Sequence, residues 1–339
     1  MGGAVVNVVI TGGAGFLGSR LARGLLAAGS LEVAGSQAQP ISQLTLVDCV
    51  PAPADLAVDE RVDVVCADLN EVLEPGYPRW NGLAGADVIF HLAAAVSGEC
   101  EESFDLGMRA NLQATESLLA SCRTLGTNPV VVYSSSVAVF GGSDEHPLPA
   151  VVDDQTLPNP QTSYGVQKFI GEQLLADYTR KGFLRGRAIR LMTVTVRPGR
   201  PNAAASGFLS GIIREPLAGQ RAVCPVDPKT EVALASPAKA IDGLLCAATS
   251  SDQAWGGRTA VNLPALTVSV GDMAHALERV AGPEPSALID WVPDPAVARM
   301  FATWPGRVHS ERAARLGLTA DPDFVSIINL HLAESATGR

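Results

Sequence analysis

Val5-Val6-Asn7-Val8-Val9-Ile10-Thr11-Gly12-Gly13-Ala14-Gly15-Phe16-Leu17-Gly18 decides the fold of this chain. The apolar, largely β-branched run up to Ile10 reads as a buried strand. Glycines follow at 12, 15 and 18, and Ser19 to Ala28 then reads as a helix. Each glycine has a task at such a junction. The first permits a tight turn, the second lets backbone approach a pyrophosphate, and the third allows helix and strand to pack closely. The helix start adds free N–H groups and a partial positive charge, which favour phosphate. The stretch therefore predicts a dinucleotide site built on Gly12, Gly15, Phe16 and Leu17.

The pattern repeats downstream. Strands are expected at Leu44–Asp48, Val62–Val65, Val88–Leu92, Val130–Ser134 and near Ala188–Val196. Helices are expected between them, notably over 105–125 and from Tyr164 to about Arg180. Alternating strands and helices imply right-handed crossovers and an α/β, Rossmann-type, doubly wound parallel sheet. Ligands bind at the carboxyl ends of such strands, and Asp48, Asp68, Ser97 and Ser134 to Ser136 all fall at these ends. Asp48 is placed to accept hydrogen bonds from ribose hydroxyls and to repel a 2′-phosphate, which favours NAD over NADP. Asp68-Leu69 suits either the adenine amino group or a helix N-cap, and the two roles are compatible.

Beyond Arg197-Pro198-Gly199 the chain becomes richer in proline and loops. Helices are expected from Ser236-Pro237, over Val270–Val280, and near 295–303 and 323–333. Residues 29–43 and 141–162 read as surface loops. This divides the chain into a cofactor domain, 1–198, and a smaller, mostly substrate-binding lobe, 199–339, with crossing between them allowed.

Composition narrows the function. With 339 residues, 47% hydrophobic and 18% charged, the chain has the makings of a globular α/β enzyme and not of a disordered segment. A formal charge of −10 speaks against nucleic acid. No stretch is long enough to span a membrane, and the N-terminus shows no secretory pattern, so a cytoplasmic protein is expected. No pair of cysteines has metal-ligand spacing, so no metal is expected. Cys49, Cys66, Cys122 and Cys246 lie in or beside apolar runs and read as small buried hydrophobes.

Ser163-Tyr164-Gly165-Val166-Gln167-Lys168 carries the chemistry. Tyr164 and Lys168 share a helix face at i and i+4. A cation there is expected to lower the pKa of a phenol, ordinarily about 10, toward the range in which it can deprotonate an alcohol.

These residues, together with TGGAGFLG, Asp48, Asp68-Leu69, HLAA at 91–94 and YSSS at 133–136, resemble the extended short-chain dehydrogenase/reductase family over essentially the whole chain. Within it, VRPGRPNAAASGF at 196–208 and IIREPLAG at 212–219 resemble the D-erythronate dehydrogenase group, which oxidises four-carbon sugar acids at C2. The resemblance implies Tyr164 as base, Lys168 as its partner and nicotinamide-ribose ligand, Ser136 on the reacting oxygen, and Asn111 supporting a proton-relay water. It implies Leu92, Ala93, Pro198 and Gly199 along the cofactor. For the substrate it implies Ser97, Asn202 and Ser206 on hydroxyls, with Arg200 first and Arg214 second as carboxylate receptor and Arg197 as a backbone anchor. A homodimer packed through the 105–125 and 163–180 helices is also implied. Two other readings stay open: a nucleotide-sugar epimerase of the same family, and a non-catalytic NAD-sensing protein. Dehydratases of the family carry acidic residues where Val137-Ala138 stand.

Overall fold

The computed structural model describes residues 4–74, 83–199 and 206–336. Seven parallel strands form the main sheet: β1 (Val6–Thr11), β2 (Gln39–Asp48), β3 (Val62–Cys66), β4 (Val88–His91), β5 (Val130–Ser136), β6 (Arg185–Leu191) and β7 (Val261–Asn262). Their spatial order is β3-β2-β1-β4-β5-β6-β7, with Ser30–Leu31 added antiparallel to the start of β2. The order reverses between β1 and β4, and a ligand crevice opens outside the carboxyl ends at that reversal. The central strands are buried on both faces, which is why β1, β4 and β5 read as continuous apolar runs.

The helices that position the site are α1 (Phe16–Ala28), α2 (Ala114–Leu125), α3 (Ser163–Arg180), α4 (Gly207–Leu217) and α5 (Pro237–Thr249). α1 turns Leu21, Ala22 and Leu25 to the sheet and stops at Gly29, whose left-handed backbone returns its N–H to Leu25. Thr162 caps α3 by accepting the Gly165 N–H at 3.1 Å.

Several boundaries differ from the sequence expectation. α1 begins at Phe16, inside the glycine motif, not at Ser19. β2 begins at Gln39, within the stretch read as loop, because Ile41 pairs with Val6 while Gln39 and Pro40 pair with Leu31 and Ser30. The helix expected over 105–125 is interrupted by a π-helical turn, Met108–Gln113. The expected sixth strand splits. β6 ends at Leu191, and Thr193–Val194 crosses to a second sheet with Glu231–Ala235 and Leu266–Ser269.

Val196, Leu209, Ile212, Ile213, Leu277 and Ile328 belong to a separate core in the later part of the chain. That part is not continuous in space. α5 and β7 return to the first core, where Ala240, Leu244, Ala247 and Val261 cluster with Val132 and Ile189. The cysteine expectation needs correction. Cys122 is buried and Cys246 half-buried, but Cys49 and Cys66 are exposed, because they sit where β2 and β3 run out into the open crevice. Cys100 and Cys224 are buried instead. Among the described residues no helix is long and apolar enough to cross a membrane, and no cluster of His, Cys, Asp or Glu could hold a metal ion.

Candidate active site

The glycine loop folds back on the sheet. Gly12 (φ +71°) and Gly13 donate their N–H groups to the Val47 carbonyl at 2.8 and 3.3 Å. A Cβ on Gly18 would run into the Gly12 carbonyl oxygen and stand 2.8 Å from Gly13 Cα, so only glycine fits there. Gly15 caps α1 without any side-chain bond, which leaves the first-turn N–H groups of the helix to an anion. Asp48, at the end of β2, accepts from Ala14 N–H at 3.0 Å and Val50 N–H at 3.3 Å, which places its carboxylate against the loop. An uncapped helix start, a backbone cradle too close for side chains and an adjacent carboxylate fit the diphosphate and ribose of NAD. Asp68 caps the helix Leu69–Val72 through Asn70 N–H at 2.8 Å. It also pairs with Arg109 at 2.8 Å, a partner the sequence reading did not name. Leu69 is buried among apolar neighbours.

The three serines at the end of β5 separate by function. Ser134 donates to the His91 carbonyl at 3.1 Å and Ser135 to Glu172 Oε1 at 2.5 Å, so both are spent on structure. Ser136 accepts the Ala138 N–H at 3.1 Å and lines the cleft together with Tyr164, which stands in the first turn of α3. One turn on, Lys168 is 2% exposed and donates from Nζ to the Ser134 carbonyl at 2.9 Å, lying 5.7 Å from the Tyr164 ring centre. Burial pushes the phenol up to about 12, with the Cys100 thiol adding to the rise, against the lowering influence of the Ser136 hydroxyl and the Arg197 charge. Burial likewise brings Lys168 down to about 8, against the Cys100 and Glu172 charges. The expected pull of Lys168 on the phenol is therefore not met by the chain alone. The ammonium is aimed at the Ser134 carbonyl, and loss of solvent dominates the phenol.

Asn111 is fully engaged. It lies in the π-helical turn and accepts the Ala95 N–H at 2.8 Å. Its amide donates to the Ala95 carbonyl at 3.2 Å, to Cys100 Sγ at 3.2 Å and to Gln167 Oε1 at 2.8 Å. Its side chain thus clamps the loop after β4 to α3, where the resemblance implied support for a relay water.

The described cleft has a volume of about 370 Å³. Gly12, Gly15, Phe16, Leu17 and Leu92 line it together with Ser97, Ser136, Tyr164, Lys168, Arg197, Ser206 and Trp304. Pro198 and Gly199 are exposed and not among the described lining residues. Leu191 to Val194, where the chain leaves β6, line the cleft instead. Ala93 stands behind Gly12, with its N–H on Thr11 Oγ1 at 3.3 Å. Arg214 turns away from the cleft, donating to the Arg197 carbonyl at 2.7 Å and pairing with Glu215 at 2.5 Å. Arg197 is therefore the described arginine that enters the cleft, not merely a backbone anchor. Arg200 and Asn202 lie outside the described residues. Trp304 went unnoticed in the sequence, where it follows a short helix with no motif around it.

A family model described as the NAD dependent epimerase/dehydratase family matches residues 8–233. The chain belongs to that family. Its relatives include D-erythronate dehydrogenase of Cupriavidus necator, 48% identical over 98% of this chain and 100% of that protein. D-erythronate dehydrogenase of Haemophilus influenzae is 37% identical over 95% of this chain and 98% of that one. Among solved structures, one described as a nucleoside-diphosphate-sugar epimerase from Agrobacterium tumefaciens is 40% identical, with a TM-score of 0.87 over 99% of this chain and 96% of that one. As a member of this family the chain is an NAD-dependent enzyme with a Rossmann-type sheet.

Proposed function

We propose that this enzyme oxidises a four-carbon sugar acid, D-erythronate to 2-oxo-D-erythronate, with NAD. The observation that carries the reaction type is the Ser136–Tyr164–Lys168 constellation at the carboxyl end of β5, beside the glycine cradle. Full-length relatives named D-erythronate dehydrogenase support the substrate. When bound, NAD supplies the acceptor for the C2 hydrogen and, as a cationic ring, further favours a phenolate. Tyr164 takes the C2 hydroxyl proton, Ser136 holds the alcohol oxygen, and Lys168 keeps a positive charge beneath both. Orientation by the buried walls of the cleft supplies part of the rate.

The nucleotide-sugar epimerase reading draws on the description of the Agrobacterium structure. Stoichiometry separates the two. With D-erythronate and excess NAD, the proposed enzyme forms many equivalents of NADH per active site; an epimerase interconverts a nucleotide sugar with no net NADH. The same reading makes the protein a cytoplasmic homodimer. Its six free cysteines suit a reducing compartment. Exposed Phe104, Leu106, Val166 and Ile170, on neighbouring helices, supply apolar surface for a second copy.

A further inference from the structure

Resting on the sugar-acid reading, we propose that Arg197, with the Ser206 hydroxyl beside it, is the receptor for the substrate carboxylate, and that Arg214 is a positioning residue that holds Arg197 in place. Arg197 and Lys168 are the cations among the described residues lining the cleft, and no Asp or Glu lines it. Lys168 is committed to the Ser134 carbonyl, which leaves Arg197 to meet an anion.

Arg197 is built into place from both sides. Its backbone N–H donates to Ser210 Oγ at 3.0 Å, and its carbonyl accepts from Arg214 at 2.7 Å. Its own Nη2 donates to Ser206 Oγ at 3.1 Å. No carboxylate among the described residues pairs with Arg197, and the 200–205 segment that follows contains no acidic residue. A guanidinium largely withdrawn from water without a counter-charge is costly, and burial lowers its pKa accordingly. A ligand carboxylate supplies the missing charge through paired N–H donors, the arrangement guanidinium favours.

Position then dictates regiochemistry. In a 2-hydroxy acid the reacting hydroxyl and the carboxylate are on adjacent carbons, so the receptor must stand next to the base. Arg197 lines the same cleft as Tyr164, near enough for its charge to act on the phenol, whereas Arg214 points to Glu215. Anchoring at Arg197 thus presents C2, not C3 or C4, to Tyr164. Oxidation removes two electrons and two hydrogens from C2 and its oxygen, and the carboxylate leaves unchanged.

The test compares D-erythronate with its uncharged primary amide as substrates for wild type, Arg197→Gln and Arg197→Lys, with NAD titrated separately to confirm folded, cofactor-binding protein. Wild type is expected to favour the acid over the amide. Arg197→Gln should cut kcat/KM for the acid by roughly 30- to 1,000-fold and collapse the acid-to-amide ratio. Arg197→Lys should fall between, and it carries the test if the glutamine variant does not fold. Arg214→Met is expected to raise KM for the acid with little change in NAD affinity. Variants at 197 that keep the wild-type acid-to-amide ratio overturn this assignment alone. A wild-type enzyme inert toward the acid overturns the sugar-acid reading and the assignment with it.

Discussion

At the scale of single residues, the site depends on groups held in uncharged or costly states. Tyr164 sits near 12 in the protein by itself, so proton transfer to it needs Ser136, Lys168 and bound cofactor together. Tyr164→Phe removes the proton acceptor with little change in packing. It should lower kcat roughly 10²- to 10⁴-fold while leaving NAD affinity within a few fold, read by initial rates and a cofactor titration. A variant with wild-type kcat would remove Tyr164 from the mechanism. His91 shows a second kind of burial. Thr115 Oγ1 donates to the Asn111 carbonyl at 2.6 Å and so accepts from His91 Nε2 at 2.9 Å. His91 Nδ1 then accepts from Thr11 Oγ1 at 2.7 Å, which fixes the neutral tautomer. Burial, reinforced by the nearby Lys168 charge, lowers its pKa from 6.5 to about 3. Below 6.5 the unfolded chain takes up a proton that the folded chain refuses, so the contribution is whole above 6.5 and drains away toward pH 3. The loss approaches about 1.4 kcal/mol per pH unit. Urea unfolding at several pH values between 7 and 4 should show a shallower acid decline for His91→Gln, whatever its stability at pH 7; parallel declines would contradict this account.

Among elements, the ends of β5 and β6 and the middle of α3 are tied by one buried ion pair. Arg190 on β6 gives two bonds to Glu172 on α3, at 2.9 and 2.8 Å, and Ser135 on β5 adds a third. Their side chains are 9% and 2% exposed, so removing one charge strands the other. Glu172→Gln is expected to cost about 3–5 kcal/mol in denaturant unfolding, and a loss under about 1 kcal/mol would show the pair to be solvated. How much of this was legible in the sequence follows from distance along the chain. The glycine loop, the Tyr164–Lys168 spacing and Asp48 were readable because each is a local pattern whose geometry one strand or helix dictates. Arg197 and Trp304 were not, because the cleft receives them only after the chain leaves β6 at Met192 and builds a second sheet. Asn111 carried a family role in the sequence, yet Ala95 and Gln167, remote in the chain, decide what its amide does. The exposure of Cys49 and Cys66 was hidden for a related reason. An apolar neighbourhood in sequence does not reveal that a strand has reached the open edge of the crevice.

For the molecule as a whole, the cleft is lined both by residues at the ends of the parallel sheet and by Ser206 and Trp304 from the later part of the chain, and the proposed reaction draws on both. The exposed apolar side chains of Phe104 and Ile170 lie outside that cleft. Sedimentation should find dimers of wild type and monomers of the Phe104→Asp, Ile170→Asp double variant; monomeric wild type at micromolar concentration would remove the second copy from the account. Nicotinamide absorbance tests the proposed chemistry most directly. Wild-type protein is given NAD and, in separate cuvettes, D-erythronate, L-erythronate, D- and L-threonate, glycerate, threonine and UDP-glucose. The account predicts sustained NADH formation with D-erythronate, little with the other compounds, and loss of the signal in Tyr164→Phe. Silence with D-erythronate and with every other hydroxy acid would contradict it.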